Sequence, residues 1–338
     1  MSSDFAPVAA LEVLRQRAVL LRRLRRFFEA RGFLEVETPL LAHEVVIDRH
    51  LDPLAVTLFD DPRRPQQGPT LWLQTSPELG MKRLLAAHGQ VPQASAATAG
   101  QEEKASPGGL TAIYQITRAF RGGEVGPRHN PEFTIVEWYR VGDDYQAGMD
   151  LLAELAEEIL AAGPPRRLSY RELFLAYAGV DPYATPTAAL AERAGLAPME
   201  ARDLVLDYLL TQFEPQLGLS APLIVYDYPA SHAALAQVRQ DDPPVAERFE
   251  LYYRGLELAN GYHELRDAQV LQQRMQTQNA LRQADGKPPL PQPKRLLAAL
   301  EHGLPPCAGC ALGFDRLVMA VLGLPTLEMA LPFPVARA

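Results

Sequence analysis

The sequence predicts a single α+β domain in which a largely antiparallel sheet is flanked by helices. Three observations lead to this fold class. The chain has 338 residues, 47% of them hydrophobic, enough to bury a substantial core. Short runs of β-branched and aromatic residues recur along it, most without helical patterns between them, which favours antiparallel pairing over βαβ units. A strongly periodic helix near the N-terminus leads straight into one of these runs.

That helix is expected over 11–28, where Leu11, Leu14, Ala18, Leu21, Leu24 and Phe28 recur at helical spacing. Arg15, Arg22, Arg23, Arg25 and Arg26 include its solvent-facing positions, and Gly32 is a natural stop. The run 33–38 then alternates as a strand until Pro39 ends its pairing, which suits an edge or an interface. Further strands are expected over 71–75, 112–120, 133–139, 223–228, 249–259 and 308–313. Helices are expected over 150–161, 200–212, 264–284 and 294–302, with 150–217 a mainly helical insertion within the domain. The segment 91–109 is poor in large apolar residues and rich in Ala, Ser, Gly and charge, so it reads as a flexible surface insertion and is assigned no chemistry.

A formal net charge of -8 gives no broad basic field, so a large tRNA footprint is not expected. The N-terminus lacks a basic region followed by an apolar core, and no apolar stretch reaches the length of a membrane span, so a cytoplasmic chain with no membrane partner is expected. Cys307 and Cys310 are too few for a disulfide framework. A lone CxxC in a strand of small residues points to buried packing rather than to zinc or redox chemistry.

Three distant segments, RGFLEVETPLL at 31–41, TRAFRGGEVGPRHNPEFTIVEWY at 117–139 and CAGCALGFDRL at 307–317, together read as a site that activates a carboxylate with ATP. Such chemistry needs cations on a polyphosphate, a flat apolar surface for adenine, acidic groups for Mg2+ and an oriented substrate. Arg121 leaves a strand at the start of a glycine-rich loop, His129 closes the loop, and Phe133 opens the returning strand as a candidate adenine stack. The plainer alternatives are a hairpin arginine and a core phenylalanine. In the third segment, small residues let a ligand lie close to the backbone, and Arg316 at a helix start reaches phosphate oxygens, unless Asp315 and Arg316 are a simple cap and a surface charge.

Glu250 and Glu257 flank a turn at Arg254-Gly255 whose even length places both carboxylates on one face of the sheet. Like charges so placed need a cation between them. Either Mg2+ bridging ATP phosphates supplies it, or the two carboxylates turn to solvent or pair with Arg248 and Arg254. Ser76 and Glu78 in QTSPEL, Glu137 and Tyr139 in VEWYR, and Asn260, Tyr262 and Glu264 in ANGYHEL add further polar and acidic groups. That many carboxylates imply a cationic amino-acid substrate, since an acidic one would be repelled.

Together these segments resemble the three motifs, in order, of the class II aminoacyl-tRNA synthetase catalytic domain. RHNPEFT at 128–134 and ELANGYHEL at 257–265 look like its lysyl branch. The first-motif helix begins about ten residues from the start, so the anticodon-reading OB-fold of lysyl-tRNA synthetases is not expected. That architecture, with TSPE at 75–78, HNPEFTIVEWYR at 129–140 and VAERFELYYRGLELANGYHEL at 245–265, resembles the elongation factor P (R)-β-lysine ligase family over nearly the whole chain from Leu11.

The resemblance implies adenylation of (R)-β-lysine and its transfer to a lysine of elongation factor P, without a covalent enzyme intermediate. Arg121 and Arg316 would bind ATP phosphates, Phe133 would stack on adenine with His129 nearby, and Glu250 and Glu257 would hold Mg2+. Ser76, Glu78, Glu137, Tyr139, Asn260, Tyr262 and Glu264 would bind β-lysine, Glu264 being the best candidate for its terminal ammonium. Ala311 stands where lysyl-tRNA synthetases usually have glycine, and its methyl would favour a displaced β-amine over α-lysine. The first-motif helix and strand imply a homodimer.

One departure from the family pattern stands out. Its second motif usually reads Phe-Arg-x-Glu, and here Phe120-Arg121-Gly122-Gly123 lacks the glutamate for the adenine amino group. Glu124, one residue later, is expected to substitute. Two other functions compete: a truncated lysyl-tRNA synthetase-like ligase for another acceptor, and a non-catalytic paralogue acting as a binding or regulatory subunit. Gly123 supports the second, whereas retention of Arg121, Glu250, Glu257 and Arg316 opposes it.

Overall fold

The computed structural model describes residues 5–90, 109–197 and 201–338. Apart from Gly109, the insertion expected over 91–109 lies outside the described residues. Helix α1 (Leu11–Glu29) buries Leu20, Leu24, Phe27 and Phe28, each worth about 1.5–3 kcal/mol of transfer free energy. Gly32, at φ +76°, turns the chain out of the helix, as expected. The apolar stripe read from sequence is only half used in the core. Leu11 is 63% exposed, while Leu14, Ala18 and Leu21 line a surface cavity of about 490 Å3.

Strand β1 (Leu34–Glu35) is shorter than the run 33–38, because one further bond, from Val36 N to Tyr114 O, precedes the helix-free segment at Pro39. Strands β2 (Leu41–Ala42), β3 (Ala55–Thr57) and β4 (Thr70–Leu73) pair in the order β2-β4-β3, and α2 (Glu78–His88) follows them. Strands β5 (Ala112–Phe120) and β6 (Glu132–Val141) form a long hairpin around the glycine-rich loop. Helix α3 (Tyr145–Leu160), capped by Asp144, leads to β7 (Arg166–Ser169). Helices α4 (Tyr170–Tyr177), α5 (Thr187–Ala194) and α6 (Arg202–Phe213) then precede β8 (Leu223–Pro229) and β9 (Val238–Arg239). The hairpin of β10 (Val245–Tyr253) and β11 (Leu256–His263) is followed by α7 (Ala268–Ala284), α8 (Lys294–Gly303), β12 (Cys307–Gly313) and α9 (Phe314–Leu322).

The main sheet runs β1-β5-β6-β12-β11-β10-β8-β7, with β9 beside β10. Its interior is antiparallel as expected, but both edge pairs, β1/β5 and β7/β8, are parallel. The correction has a simple cause: each of these pairs is joined by a crossover that contains helix, α2 in one case and α4 to α6 in the other. Helices α1, α3 and α9 share one core with the sheet, and α2, α7 and α8 share another. Helices α4 to α6 pack on β8 and β10. The helix expected over 264–284 starts later, because Asp267 caps α7 by accepting from Gln269 N and Val270 N, which leaves Glu264 just beyond β11.

Alternation sorts the central strands. On β6, Val136 and Trp138 enter the core of α1, α3 and α9, while Glu137 and Tyr139 face the opposite side. On β12, Cys310 and Leu312 join that same core. The two free thiols are buried, Cys307 at 0% and Cys310 at 4% exposure, so both pack structurally.

Candidate active site

A cleft of about 920 Å3 opens over β6, β12, β11 and β10, and every site residue expected from sequence lines it. The β10/β11 hairpin turns at Arg254 and Gly255, both at positive φ (53° and 70°), as a two-residue primed turn requires. Tyr252 pairs with Glu257 next to the turn, but Glu250 pairs with Asn260 beyond a bulge. Glu250 and Glu257 therefore share a face as expected. The extra residue also brings Asn260, Tyr262 and Glu264 onto the face of Glu257; without it they would point into the opposite core.

At one end of the cleft the cations and the aromatic ring come together. Arg121 Cζ lies 5.0 Å from the centroid of Phe133, and Arg121 Nε is buried with no partner. Gly126 and His129 exchange backbone bonds of 3.1 and 3.2 Å, so His129 does close the loop. Arg316 Nη1 donates to Glu257 O at 3.1 Å, and its Nη2 lies 2.6 Å from His129 Nε2. Burial and then Arg316 hold the His129 imidazole below its usual range, so it stays neutral and accepts this bond. Gly123 has φ +78°, and Glu124 Oε1 lies 3.8 Å from Arg121 Nη1.

Glu250 partly follows the alternative reading. It pairs with Arg248 and accepts from the hydroxyls of Tyr228 and Tyr252. Arg254 is not its partner, since its Nη1 donates to Ala320 O at 2.7 Å. Glu257 is more open: its nearest cation is Arg316 at 3.7 Å, and burial followed by repulsion from Glu250 pushes its carboxyl up to about 7. An open carboxylate beside an anchored one, with lone pairs left on each, fits a divalent cation with phosphate and water completing its shell.

The other end is acidic. Ser76 Oγ donates to Glu137 Oε2 at 2.9 Å and Tyr139 OH to Glu137 Oε1 at 2.6 Å. Burial, then the charge of Glu78, pushes the Glu137 carboxyl up to about 8. Asn260 Nδ2 donates to Tyr262 OH at 3.1 Å, and Asn260 Oδ1 is buried without a partner. Ala311 lies between Glu137 on β6 and Asn260 on β11 in register.

Sequence reading missed Lys82, whose Nζ lies 2.6 Å from Glu78 Oε1 and 2.5 Å from Glu264 Oε2. Its spacing from Glu78 on a helix was the available signal. The small residues of the third segment, Gly309 among them, are expected to leave room for a ligand. A Cβ at Gly309 would instead lie 2.3 Å from the Tyr139 ring and 2.6 Å from Glu264 Oε1, so its smallness admits those side chains.

The comparisons with known proteins agree with this geometry. Residues 102–337 match the tRNA synthetases class II (D, K and N). The elongation factor P–(R)-beta-lysine ligase of Vibrio vulnificus (strain YJ016) is 45% identical, over 99% of this chain and 100% of its own. The enzymes of the same name from Vibrio cholerae serotype O1 and Mannheimia succiniciproducens are 43% and 44% identical, over 100% and 98% of this chain and 99% and 98% of theirs. The chain belongs to the class II tRNA synthetase family and, within it, to the elongation factor P–(R)-β-lysine ligases.

Proposed function

We propose that the chain activates (R)-β-lysine with ATP as an adenylate and transfers it to a lysine side chain of elongation factor P. The observation that carries this reading is one cleft that gathers the cations Arg121 and Arg316 at one end and a carboxylate cluster at the other, in a chain matching those ligases end to end.

Arg121 and Arg316 hold the phosphates, Phe133 stacks on adenine, and Glu124 takes the adenine amino group in place of the residue at Gly123. Glu250 and Glu257 hold Mg2+, which supplies neutralisation of phosphate charge. Glu78, Glu137 and Glu264 receive the two ammonium groups of β-lysine, with Ser76, Tyr139, Asn260 and Tyr262 orienting it. A carboxylate oxygen of β-lysine attacks the α-phosphorus and the bond to pyrophosphate breaks. The neutral amine of the acceptor lysine then attacks the acyl carbon, loses its proton to solvent, and AMP leaves. Positioning and charge neutralisation carry both steps.

Leu11 and Val19 on α1 and Leu34 on β1 are exposed apolar side chains, which supports a homodimer through these two elements. Sedimentation at micromolar concentration should find two copies, and a monomer there would count against it. The lack of a basic field leaves tRNA outside the reading, and the two buried free thiols suit a cytoplasmic chain. Among the described residues no helix is long and apolar enough to cross a membrane.

Amino-acid-dependent exchange of pyrophosphate into ATP tests the chemistry, comparing (R)-β-lysine, (S)-β-lysine and α-lysine with no acceptor present. Strong exchange with (R)-β-lysine is expected. No exchange with any of them would bring the binding-subunit reading forward.

A further inference from the structure

Lys82 stands behind the acidic end of the cleft, one helical turn after Glu78 on α2, with its side chain 2% exposed. It does not line the cleft, whereas Glu78 and Glu264 both do. It reaches one oxygen of each carboxylate, Glu78 Oε1 and Glu264 Oε2. Among the described residues no hydrogen bond ends on Glu78 Oε2 or Glu264 Oε1. The ammonium thus pins two carboxylates from two different elements, an α-helix and the end of a sheet strand, and leaves an oxygen of each for a ligand.

We propose that Lys82 is a positioning and specificity residue for the amino-acid substrate, a resident ammonium that occupies one of the cation places offered by Glu78, Glu137 and Glu264. With all three carboxylates ionised, Lys82 leaves two negative charges in the pocket. β-Lysine carries two ammonium groups, and once its carboxylate is joined to AMP no negative charge remains on the acyl group. A pocket without Lys82 would carry one uncompensated carboxylate in a buried site, a costly state that protonation would relieve. The match between pocket and diammonium ligand is therefore set by a side chain that never touches the ligand. This inference rests on the proposal that β-lysine is the substrate.

The titrating and charged groups around Lys82 are Glu78 on α2, Glu137 and Tyr139 on β6, His263 and Glu264 at the end of β11, and Cys307 on β12. Removing the ammonium deprives Glu78 and Glu264 of their counter-ion and raises the pH at which Glu264 ionises.

The test is pyrophosphate exchange by Lys82→Met beside the wild-type chain. The variant should raise KM for (R)-β-lysine about 10- to 100-fold at pH 7, the loss expected when a charged hydrogen bond is removed. KM for ATP should stay within about twofold, and the β-lysine defect should shrink as pH rises. An unchanged β-lysine KM, or equal losses for ATP and β-lysine at every pH, would overturn the inference while leaving the function intact. A wild-type chain without exchange would overturn the function and this inference with it. Because a buried neutral residue beside two carboxylates can unfold the chain, Lys82→Ala is measured in parallel with propylammonium, which replaces the deleted atoms. Recovery of melting temperature and exchange with propylammonium but not with 1-propanol supports the charge role, and an equal response to both refutes it.

Discussion

Arg17 Nη1 lies 2.6 Å from Asp315 Oδ1, which ties α1 to the first turn of α9 one residue before Arg316. The other oxygen of the same carboxylate accepts from Thr134 N at 2.7 Å, one residue after Phe133. A single buried group therefore fixes both Arg316 and the Phe133 ring relative to α1. The pair is largely buried, at 11% and 2% side-chain exposure, and Arg17 also donates to Ala330 O at 2.8 Å. Leaving buried Asp315 without its counter-ion in Arg17→Met should destabilise the chain by about 3–5 kcal/mol. Urea denaturation measures this, and KM for ATP should rise with it. An unchanged midpoint would show that solvent or another group takes over from Arg17.

Arg316 is held from two sides, by Glu257 O and by His129 Nε2. The neutral imidazole aims the guanidinium across the cleft and adds no competing charge. Arg316→Ala should lower kcat for pyrophosphate exchange about 100- to 1000-fold, as expected for a group that stabilises charge developing on phosphate oxygens. His129→Ala should leave kcat nearer wild type and raise KM for ATP, since it loosens Arg316 without removing it. Equal defects in the two variants would assign His129 a direct role instead.

How far the site was legible depends on how local its cause is. Strand 112–120 is visible from its β-branched and aromatic run, and the structure places it over the same residues. Arg121, His129 and Phe133 were found because one hairpin carries all three. The short strands β2, β3 and β9 were not, because two or three residues carry no periodicity and depend on the tertiary contacts they make. The bulge beside Leu251 was equally invisible, although it decides that Asn260, Tyr262 and Glu264 face the cleft. Lys82 could be seen as the helix partner of Glu78, but its link to Glu264 depends on the approach of α2 to the end of β11, which no local pattern encodes.

Gly123 takes φ +78°, a conformation a glutamate side chain would disfavour, so the family's usual residue could not keep this backbone without strain. Glu124 instead sits in the cleft within 3.8 Å of Arg121. Glu124→Ala should raise KM for ATP about two- to tenfold, the loss of one net hydrogen bond, with kcat little changed. Unchanged KM would remove Glu124 from the nucleotide site.

Ala311 lies in register with both Glu137 and Asn260, so its methyl projects among groups assigned to the amino-acid end. Ala311→Gly should reduce the preference for (R)-β-lysine over α-lysine by about 1–3 kcal/mol, read as the ratio of the two kcat/KM values. A ratio that stays constant would place the discrimination elsewhere in the pocket.

Glu137 gives the pocket a pH signature. Its carboxyl titrates at about 8 in the folded chain because burial and Glu78 disfavour its charge, against 4.5 for a free glutamate. Between those values the folded chain binds more protons than the unfolded one, so this group's contribution to stability is full below about 4.5 and declines as pH rises toward 8. The unliganded chain should therefore lose melting temperature over that window, and Glu137→Gln should flatten the decline. A diammonium ligand reverses the preference by favouring the ionised carboxylate. Binding of (R)-β-lysine at pH 7 should release protons, so calorimetric enthalpies measured in buffers of different ionisation enthalpy should differ. Equal enthalpies across buffers would mean either that Glu137 is already ionised in the free chain, which would overturn its raised titration, or that it remains protonated in the complex, which would remove it as the ammonium's charged partner.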